Sequence, residues 1–529
     1  MRKSIYEIIL PLVGEDDREI EGKALLVNGL YSSFDVVAKE EAEKFAAGDF
    51  AAIPLALRER LLLRGHLTRR SEAEEIADLK LIGRVYRMIP ARSGIGIIIM
   101  PTYDCNFRCP YCYEQHRLKN GQEWLDATMS HEMMEAVFAA VENYQARGYG
   151  VGRCTFYGGE PFLAKNIAVV REIAERCKKL GLAMDAVTNG YDLEAYLDFL
   201  EEYDCKYLQV TVDGVGEAND RRRIHKDGVP TYDRILKNVE LALRRGISIN
   251  LRVNVGRENI SGIGALVEDL RARGFLEKEE ARAAEAKKLQ GTDKKTGRGE
   301  FSYYFKATND DKHPENNIRE QDIIDELMRN GFTALEAIKL QSQYSVPERA
   351  LRQLFTKEEM PHPSPAYCGS EQGMFVIDPF GRLYACWDQV GLENAAVGFA
   401  DEQSGRFLMN FAKAKWRTRT SDLMPACEAC PYVFICRGGC ASRAFAEHGS
   451  YFREYCGETK EIFAFVASRV AGEVWAKNGE SELSLSLAGP LSRLTDAERR
   501  TLIESRSQKE IFACLKAAGL WEESRKSYY

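Results

Sequence analysis

The sequence predicts an α/β fold: a partial (β/α)6, TIM-like barrel, preceded by a small N-terminal module and followed by a cysteine-rich region. Three observations carry this. From Gly94 to Ala307, short apolar runs alternate with amphipathic helical stretches, the pattern of parallel strands joined by crossover helices. At 529 residues the chain exceeds one ordinary core, so roughly two to four domains are expected. Ten of the 14 cysteines fall into two spaced sets: Cys105, Cys109 and Cys112 just after the first strand, and Cys368, Cys386, Cys427, Cys430, Cys436, Cys440 and Cys456 later. These features divide the chain at 1–92, 93–308, 309–366, 367–460 and 461–529.

In chain order, Leu25–Leu30 and Ser32–Val37 are β-prone, and Lys39–Phe50, Pro54–Arg64 and the charged Glu72–Tyr86 are helical, with a break at Gly65-His66-Leu67. Two strands and short helices suit a winged-helix-like module; a helical cap on the barrel fits the same pattern. Gly94–Met100 is a continuous apolar run, as in a strand buried on both faces. Further strands are expected at Cys154–Tyr157, Ala183–Val187, Tyr207–Val212, Ile247–Val255 and Ser302–Ala307. Helices are expected between them at Ser130–Arg147, Ala164–Leu180, Leu193–Glu202, Asp233–Arg245 and Ile263–Arg273. Glu277–Gly299, dense in Lys, Glu, Ala and Gly, reads as a solvated insertion, Asn309–Met360 as bridging helices and Ile462 onward as C-terminal helices.

The 73 basic and 80 acidic residues leave a net charge of −7, which gives no basis for nucleic-acid binding. No run of about 18 apolar residues is present to span a membrane. Pro11 and Glu15-Asp16-Asp17 interrupt the N-terminus too early for a signal peptide. The expectation is a cytoplasmic protein, in which clustered cysteines mean metal binding or catalysis rather than disulfides.

Cys105-Asn-Phe-Arg-Cys109-Pro-Tyr-Cys112 offers three thiolates on one loop to a cluster that takes four ligands, leaving one iron open. A zinc site would need a fourth ligand close by, and His116 is the nearest candidate. Tyr111 is either core filler or an aromatic placed to stack on a bound base. This CxxxCxxC after the first strand resembles the radical S-adenosylmethionine (SAM) superfamily. The resemblance covers about Gly94 to Ala307 and implies that the open iron binds SAM, whose reductive cleavage gives a 5′-deoxyadenosyl radical. Tyr157-Gly158-Gly159-Glu160-Pro161 is similar to the family's segment for the methionine ammonium group, although alone it reads as a turn. Thr188-Asn189-Gly190 and Thr211-Val-Asp213-Gly214 resemble segments near the ribose and the methionine carboxylate, and Arg252 and Asn254 on the fifth strand also match.

The second set reads Cys368-x12-Gly381-x4-Cys386, then Cys427-x2-Cys430-x5-Cys436-x3-Cys440, then Cys456. It resembles the SPASM extension of radical SAM enzymes, which carries two auxiliary [4Fe–4S] clusters, making three in all. By that resemblance Cys368, Cys386 and Cys440 serve the first, and Cys427, Cys430, Cys436 and Cys456 the second. Sulfatase-maturing relatives close the first with one more cysteine just upstream, where this chain has His362-Pro363-Ser364-Pro365. The vacancy is open to a substrate thiolate, to His362, or to a remote group such as Cys205 or Cys514. Zinc-ribbon-like knuckles are the competing reading of the whole set. Cys154, Cys177 and Cys514 read as buried small hydrophobes.

SPASM enzymes mostly modify peptides or proteins. The resemblance therefore implies a peptide maturase, an oxidoreductase-type enzyme whose N-terminal module grips the leader of a ribosomally made precursor and whose reductant is a flavodoxin- or ferredoxin-type donor. A thioether crosslink from a substrate cysteine is the expected product. Anaerobic sulfatase maturation is the alternative, with Asp388 as the candidate base; it stands one place beyond the usual acidic position because Trp387 follows Cys386. A non-enzymatic iron–sulfur electron carrier and a zinc-stabilised peptide-binding scaffold are the readings from other classes.

Overall fold

The computed structural model describes residues 1–88, 95–112, 114, 121–276, 298–310, 313–357, 364–392, 394–479, 484–486, 497, 501 and 508–517. His116, His362 and most of 277–299 and 480–529 lie outside the described residues.

The N-terminal module holds β1 (Arg2–Lys3), β2 (Glu7–Val13), β3 (Glu19–Asn28), β4 (Ser33–Ala38), two short helices at Lys39–Ala47 and Leu55–Leu63, β5 (Leu67–Thr68), and the helix Glu72–Met88. Two strands before the helices were expected, and four are present, the two-residue β1 among them. The sequence reading missed β2 because Pro11 interrupts it; β2 is the last strand of its sheet, where a residue with no N–H to donate is tolerated.

The barrel strands are β6 (Ile95–Ile99), β7 (Val151–Phe156), β8 (Ala183–Thr188), β9 (Tyr207–Thr211), β10 (Ser248–Val255) and β11 (Phe301–Ala307). All pair in parallel and in sequential order, as a partial (β/α)6 barrel requires. Side chains alternate across the sheet. Leu208, Val210, Ile249, Leu251, Val253, Phe301 and Phe305 enter the core against the helices. Gln209, Arg252, Asn254, Tyr304 and Lys306 fall on the other, concave face. The crossover helices are held by their apolar stripes: Val170, Ile173, Ala174 and Cys177 of Ile167–Lys179 recur at helical spacing and are buried, with Arg176, Lys178 and Lys179 in its last turn favouring the negative end of its dipole.

The sheet does not end at β6. β12 (Phe375–Ile377) adds in parallel to β6, and β13 (Arg382–Tyr384), β14 (Gly398–Asp401) and β15 (Arg406–Met409) follow antiparallel, giving a ten-stranded sheet that joins barrel and cysteine-rich region. Helices Glu320–Arg329, Ala334–Leu340 and Ser345–Lys357 follow β11, the first two packing against it and the third against the helix Thr459–Lys477. A last strand, β16 (Ser484–Ser486), returns to pair with β4, so the N-terminal sheet has four strands ordered β16-β4-β3-β2. No helix among the described residues is long and apolar enough to cross a membrane.

A buried polar network ties the module together. His66 Nδ1 lies 2.8 Å from Glu7 on β2 and its Nε2 2.8 Å from Asp35 on β4, all three side chains being fully buried. Burial lowers the His66 pKa, but the Glu7 charge and hydrogen bonds to Asp35 and Glu7 outweigh it and raise the pKa from 6.5 to about 9. A base whose folded pKa is raised stabilises fully below its unfolded pKa and loses that contribution as pH rises through the folded value. Stability should therefore fall between about pH 6.5 and 9, by up to about 3 kcal/mol, and His66→Gln should flatten that slope. Thermal unfolding of both proteins across this range checks it; parallel pH profiles would refute it.

Candidate functional site

The first cysteines lie on the loop that leaves β6. Its stem is fixed by the Thr102 hydroxyl donating to the Ala127 carbonyl at 2.8 Å and by Met129 N donating to the Pro101 carbonyl at 2.8 Å. Its tip is pinned to 224–226: Arg108 N donates to the Ile224 carbonyl at 2.7 Å and Lys226 N to the Asn106 carbonyl at 2.8 Å. Burial pushes the Cys105 thiol well up, and Glu160, Cys109 and Cys112 add to the shift, so the three sulfurs share one locality. Among the described residues, the one trio of His, Cys, Asp or Glu ligand atoms all within 4.8 Å of one another is His131, Glu135 and Glu172. Arg176 is ion-paired to both of those carboxylates. The cysteine sets are thus spread wider than ligands of one tetrahedral zinc, whose sulfurs stand about 4 Å apart when each bond is about 2.3 Å.

Glu160 organises the strand ends around this loop. Its carboxylate accepts from the Thr188 hydroxyl at 2.6 Å, from Asn189 N at 2.6 Å and from Phe162 N at 2.9 Å. Burial raises its pKa to about 7 against those three donors. Glu160, expected at the methionine ammonium group, therefore has three of its acceptor positions taken by the fold. The amide of Asn189 donates to Asn106 Oδ1 at 2.7 Å and lies 4.0 Å from Cys105 Sγ, placing Asn189 against the cluster loop. Gly159 packs on the same loop: a Cβ there would sit 2.2 Å from the Asp104 carbonyl oxygen, and Gly158 has φ +122°.

On the opposite side, Tyr111 donates to Asp213, which also accepts from Asn254 N at 3.1 Å. Thr211 is buried one residue before this turn. Arg223 donates to the Tyr111 hydroxyl at 3.0 Å, and the Arg222 guanidinium lies 5.0 Å from the Tyr111 ring centroid. Tyr111, expected to stack on a base, is thus engaged with two arginines and an aspartate. Arg222 and Arg223 escaped the sequence reading, because three consecutive arginines at 221–223 read as a solvated run. Yet both are buried, and Arg222 Nε and Nη2 and Arg223 Nε have no hydrogen-bond acceptor among the described residues. Buried guanidinium N–H groups facing thiols fit an anionic group such as an amino-acid carboxylate. Arg252, expected near the cofactor, bonds Asn254 Oδ1 at 2.8 Å on the concave face, and the Asn254 amide in turn donates to Tyr111 Oη at 3.4 Å.

Cys386 follows β13; its thiol is pushed up by burial and by Asp388, with Cys440 and Cys368 contributing, so Asp388 stands beside this set. Burial, Glu371 and Cys440 raise Cys368 to about 11. Burial and then Cys436, Cys430 and Cys456 raise Cys427 to about 12. Tyr367 lies between the sets, its phenol feeling Cys440, Cys368 and Cys436. Cys205 is buried in the barrel core, where it feels Asp185 and Cys177, and is no candidate to complete the Cys368 set. Cys154 and Cys177 share that core, and Cys514 is half-buried on Gln508–Ala517.

Residues 99–270 match the family model described as Radical SAM superfamily. An uncharacterized protein of Archaeoglobus fulgidus is 24% identical over 378 residues, 69% of this chain and 79% of that protein. PqqA peptide cyclase of Xanthomonas oryzae pv. oryzae is 23% identical over 372 residues, 69% of this chain and 87% of the cyclase. The solved structure of polyhistidine-tagged anSMEcpe with bound AdoMet (SAM) superposes with a TM-score of 0.50 at 16% identity, covering 78% of this chain and 98% of that one, which shows a shared fold.

Arg223→Met should weaken SAM binding to the iron-loaded protein by about thirtyfold, the cost of about 2 kcal/mol for losing one partner of a buried charged pair. Equilibrium binding with iron content as control measures this, and unchanged affinity would remove Arg223 from the site. Gly159→Ala should lose both iron and SAM binding, since backbone cannot yield to its methyl; iron assay after anaerobic reconstitution tests it.

Proposed function

The chain contains a radical SAM domain and is an enzyme, and we propose that it matures a ribosomally made precursor peptide, closing a thioether from a substrate cysteine. Cys105, Cys109 and Cys112 would hold the SAM-binding [4Fe–4S] cluster. Arg222 and Arg223 would take the methionine carboxylate, the backbone at Gly158–Glu160 the ammonium group, and Thr188 and Asn189 would lie toward the ribose. When bound, the cluster and SAM would supply a 5′-deoxyadenosyl radical that abstracts a substrate hydrogen. Cys368, Cys386 and Cys440 would hold one auxiliary cluster and Cys427, Cys430, Cys436 and Cys456 the other.

The observation that carries the thioether reading is the Cys368 set. It gathers three thiols, and no fourth cysteine among the described residues joins it, which suits a position open to a substrate thiolate. Likeness to a protein named PqqA peptide cyclase over 69% of the chain supports a peptide substrate. The N-terminal module, with five strands and three helices, suits a leader-binding role through strand or helix addition. A cytoplasmic setting and a flavodoxin- or ferredoxin-type donor follow from the same reading. Sulfatase maturation remains the second reading, because Asp388 stands beside Cys386.

Anaerobic reconstitution should yield about twelve irons per chain, and dithionite with SAM should release 5′-deoxyadenosine. Zinc in place of iron, or no cleavage, would sink the proposal. Cys105→Ala should abolish cleavage. Cys386→Ala should keep uncoupled cleavage but make no crosslink in a cysteine-bearing precursor peptide; such a peptide encoded beside the gene would support the first reading. A sulfatase in that position, modified to formylglycine, would establish the second reading instead.

A further inference from the structure

Among the described residues, the N-terminal sheet has two outer edges, and only one of them is built to take another strand. Gly29 N donates to the Tyr6 carbonyl at 3.2 Å, one step beyond the Glu7–Asn28 pair, which sets the phase of the β2–β3 ladder. Hydrogen-bonded pairs alternate with non-bonded ones, so Ile8 and Leu10 turn their backbone groups to β3 while Ile9 and Pro11 turn theirs outward. Pro11 has no N–H to offer there. The helix Thr459–Lys477 also crosses so close that Gly472 has no room for a Cβ beside the Val13 carbonyl. The β2 edge is therefore closed by a missing donor and by a helix.

The same count, carried across β3 through the Leu26–Asp35 pair, turns Ser33 and Asp35 to β3 and leaves Phe34 and Val36 facing the other edge. β4 contains no proline, so both residues present an N–H and a carbonyl there. In the structure β16 holds this edge, with Leu485 opposite Phe34, and Ser484 and Ser486 opposite Asp35 and Ser33. The described ladder covers three of the six residues of β4. In sequence, the segment around it alternates strictly, Glu482-Leu483-Ser484-Leu485-Ser486-Leu487, the pattern of a half-buried strand.

The two faces of β4 match that alternation. Phe34 meets the Phe355 ring edge-on at 5.3 Å between centroids, and Val36 joins the same core. Ser33 and Asp35 lie on the opposite face, where Asp35 bonds His66 and Arg64. A residue opposite Phe34 falls on the apolar face, and residues opposite Ser33 and Asp35 fall on the polar one. The edge thus selects an extended segment that reads polar, apolar, polar, and the chain's own tail supplies one.

We propose that β16 occupies the seat that β4 offers to an extended peptide, and that a leader binds by displacing it. The inference rests on the peptide-maturase reading and deepens it, naming the edge the leader pairs with and the pattern it carries. A short outer strand opens locally at little cost. Only four residues separate Gly479 from Ser484, however, and so short a tether keeps the tail's effective concentration at the edge in roughly the millimolar range. Leader affinity is then reduced by the fraction of time for which the edge is free.

The probe is a fluorescein-labelled peptide copying residues 480–488, Glu-Ser-Glu-Leu-Ser-Leu-Ser-Leu-Ala, titrated by anisotropy into the iron-loaded full chain and into its Leu485→Pro variant. Proline at 485 removes the N–H that faces Phe34 and unseats β16. The variant should bind the probe at least about tenfold more tightly than the wild type, with iron content unchanged. Equal affinity, or no binding to either protein, would overturn the proposal. Amide hydrogen exchange tests the same point without a substitution: in the wild type, residues 481–488 should exchange at least about a hundredfold faster than Leu25–Val27 of β3, and faster still with excess probe. Exchange as slow as that of β3 and unmoved by the probe would make β16 a permanent strand and refute the proposal. Neither readout involves catalysis, so the maturase reading fails separately, by the absence of 5′-deoxyadenosine from the wild-type enzyme with SAM and dithionite.

Discussion

The site depends on the pairing of β12 with β6. Phe375, Val376 and Ile377 lie in register with Ile97, Ile98 and Ile99, and Met100 N donates to the Ile377 carbonyl at 2.9 Å. The first cysteine loop leaves one of these strands, and the turn leading to Cys386 leaves the other. Asp378 reinforces the link, accepting from Tyr103 Oη at 2.7 Å and from the N–H groups of Phe380 and Arg382 at its own turn. Two cysteine sets far apart in sequence are thereby held at a separation set by a backbone ladder, which is stiffer than any surface contact between domains would be. Under the proposed function, electron transfer and radical chemistry would both need such fixed spacing, and the sheet would supply it.

Much of this was legible in the sequence, for physical reasons. β6 is a continuous apolar run and β7 to β11 put apolar residues at alternate, core-facing positions, so all six announced themselves within a few residues of their ends. The cysteines were legible because ligand spacing on short loops is a local property. What escaped was non-local or disguised. β2 was hidden by Pro11, which an edge strand tolerates. Arg222 and Arg223 sat in a run of like charge that reads as solvated, yet the fold turns both inward beneath Tyr111 and Asp213. The buried triad Glu7, His66 and Asp35 comes from three separate elements, so no spacing could reveal it. Glu160 was singled out for a ligand, whereas most of its hydrogen-bonding capacity serves to align the ends of β7 and β8.

Charge is partitioned around the cleft in a consistent way. Acidic side chains near the first cysteine loop, Glu160 and Asp213, each accept from internal donors, and their charge raises the thiols of Cys105 and Cys109 respectively. Basic side chains are kept on both sides of the opening: Arg222 and Arg223 toward the loop, Arg252 and Lys306 deeper on the concave face. Aromatic surface completes the rim, with Trp387 after Cys386 and Tyr157 at the end of β7 standing 6.4 Å apart between ring centroids. Such a cleft attracts anions while excluding water from the centre.

β16 closes the N-terminal sheet from the far end of the chain, pairing Ser484, Leu485 and Ser486 with Asp35, Phe34 and Ser33. During synthesis the outer edge of β4 therefore stays unpaired while some 450 further residues are made. This module emerges from the ribosome long before β16 can finish it, and for all that interval its backbone is an open template for other strands. Correct assembly of this chain is then a race between its own tail and any extended segment in the cell that reaches the edge first.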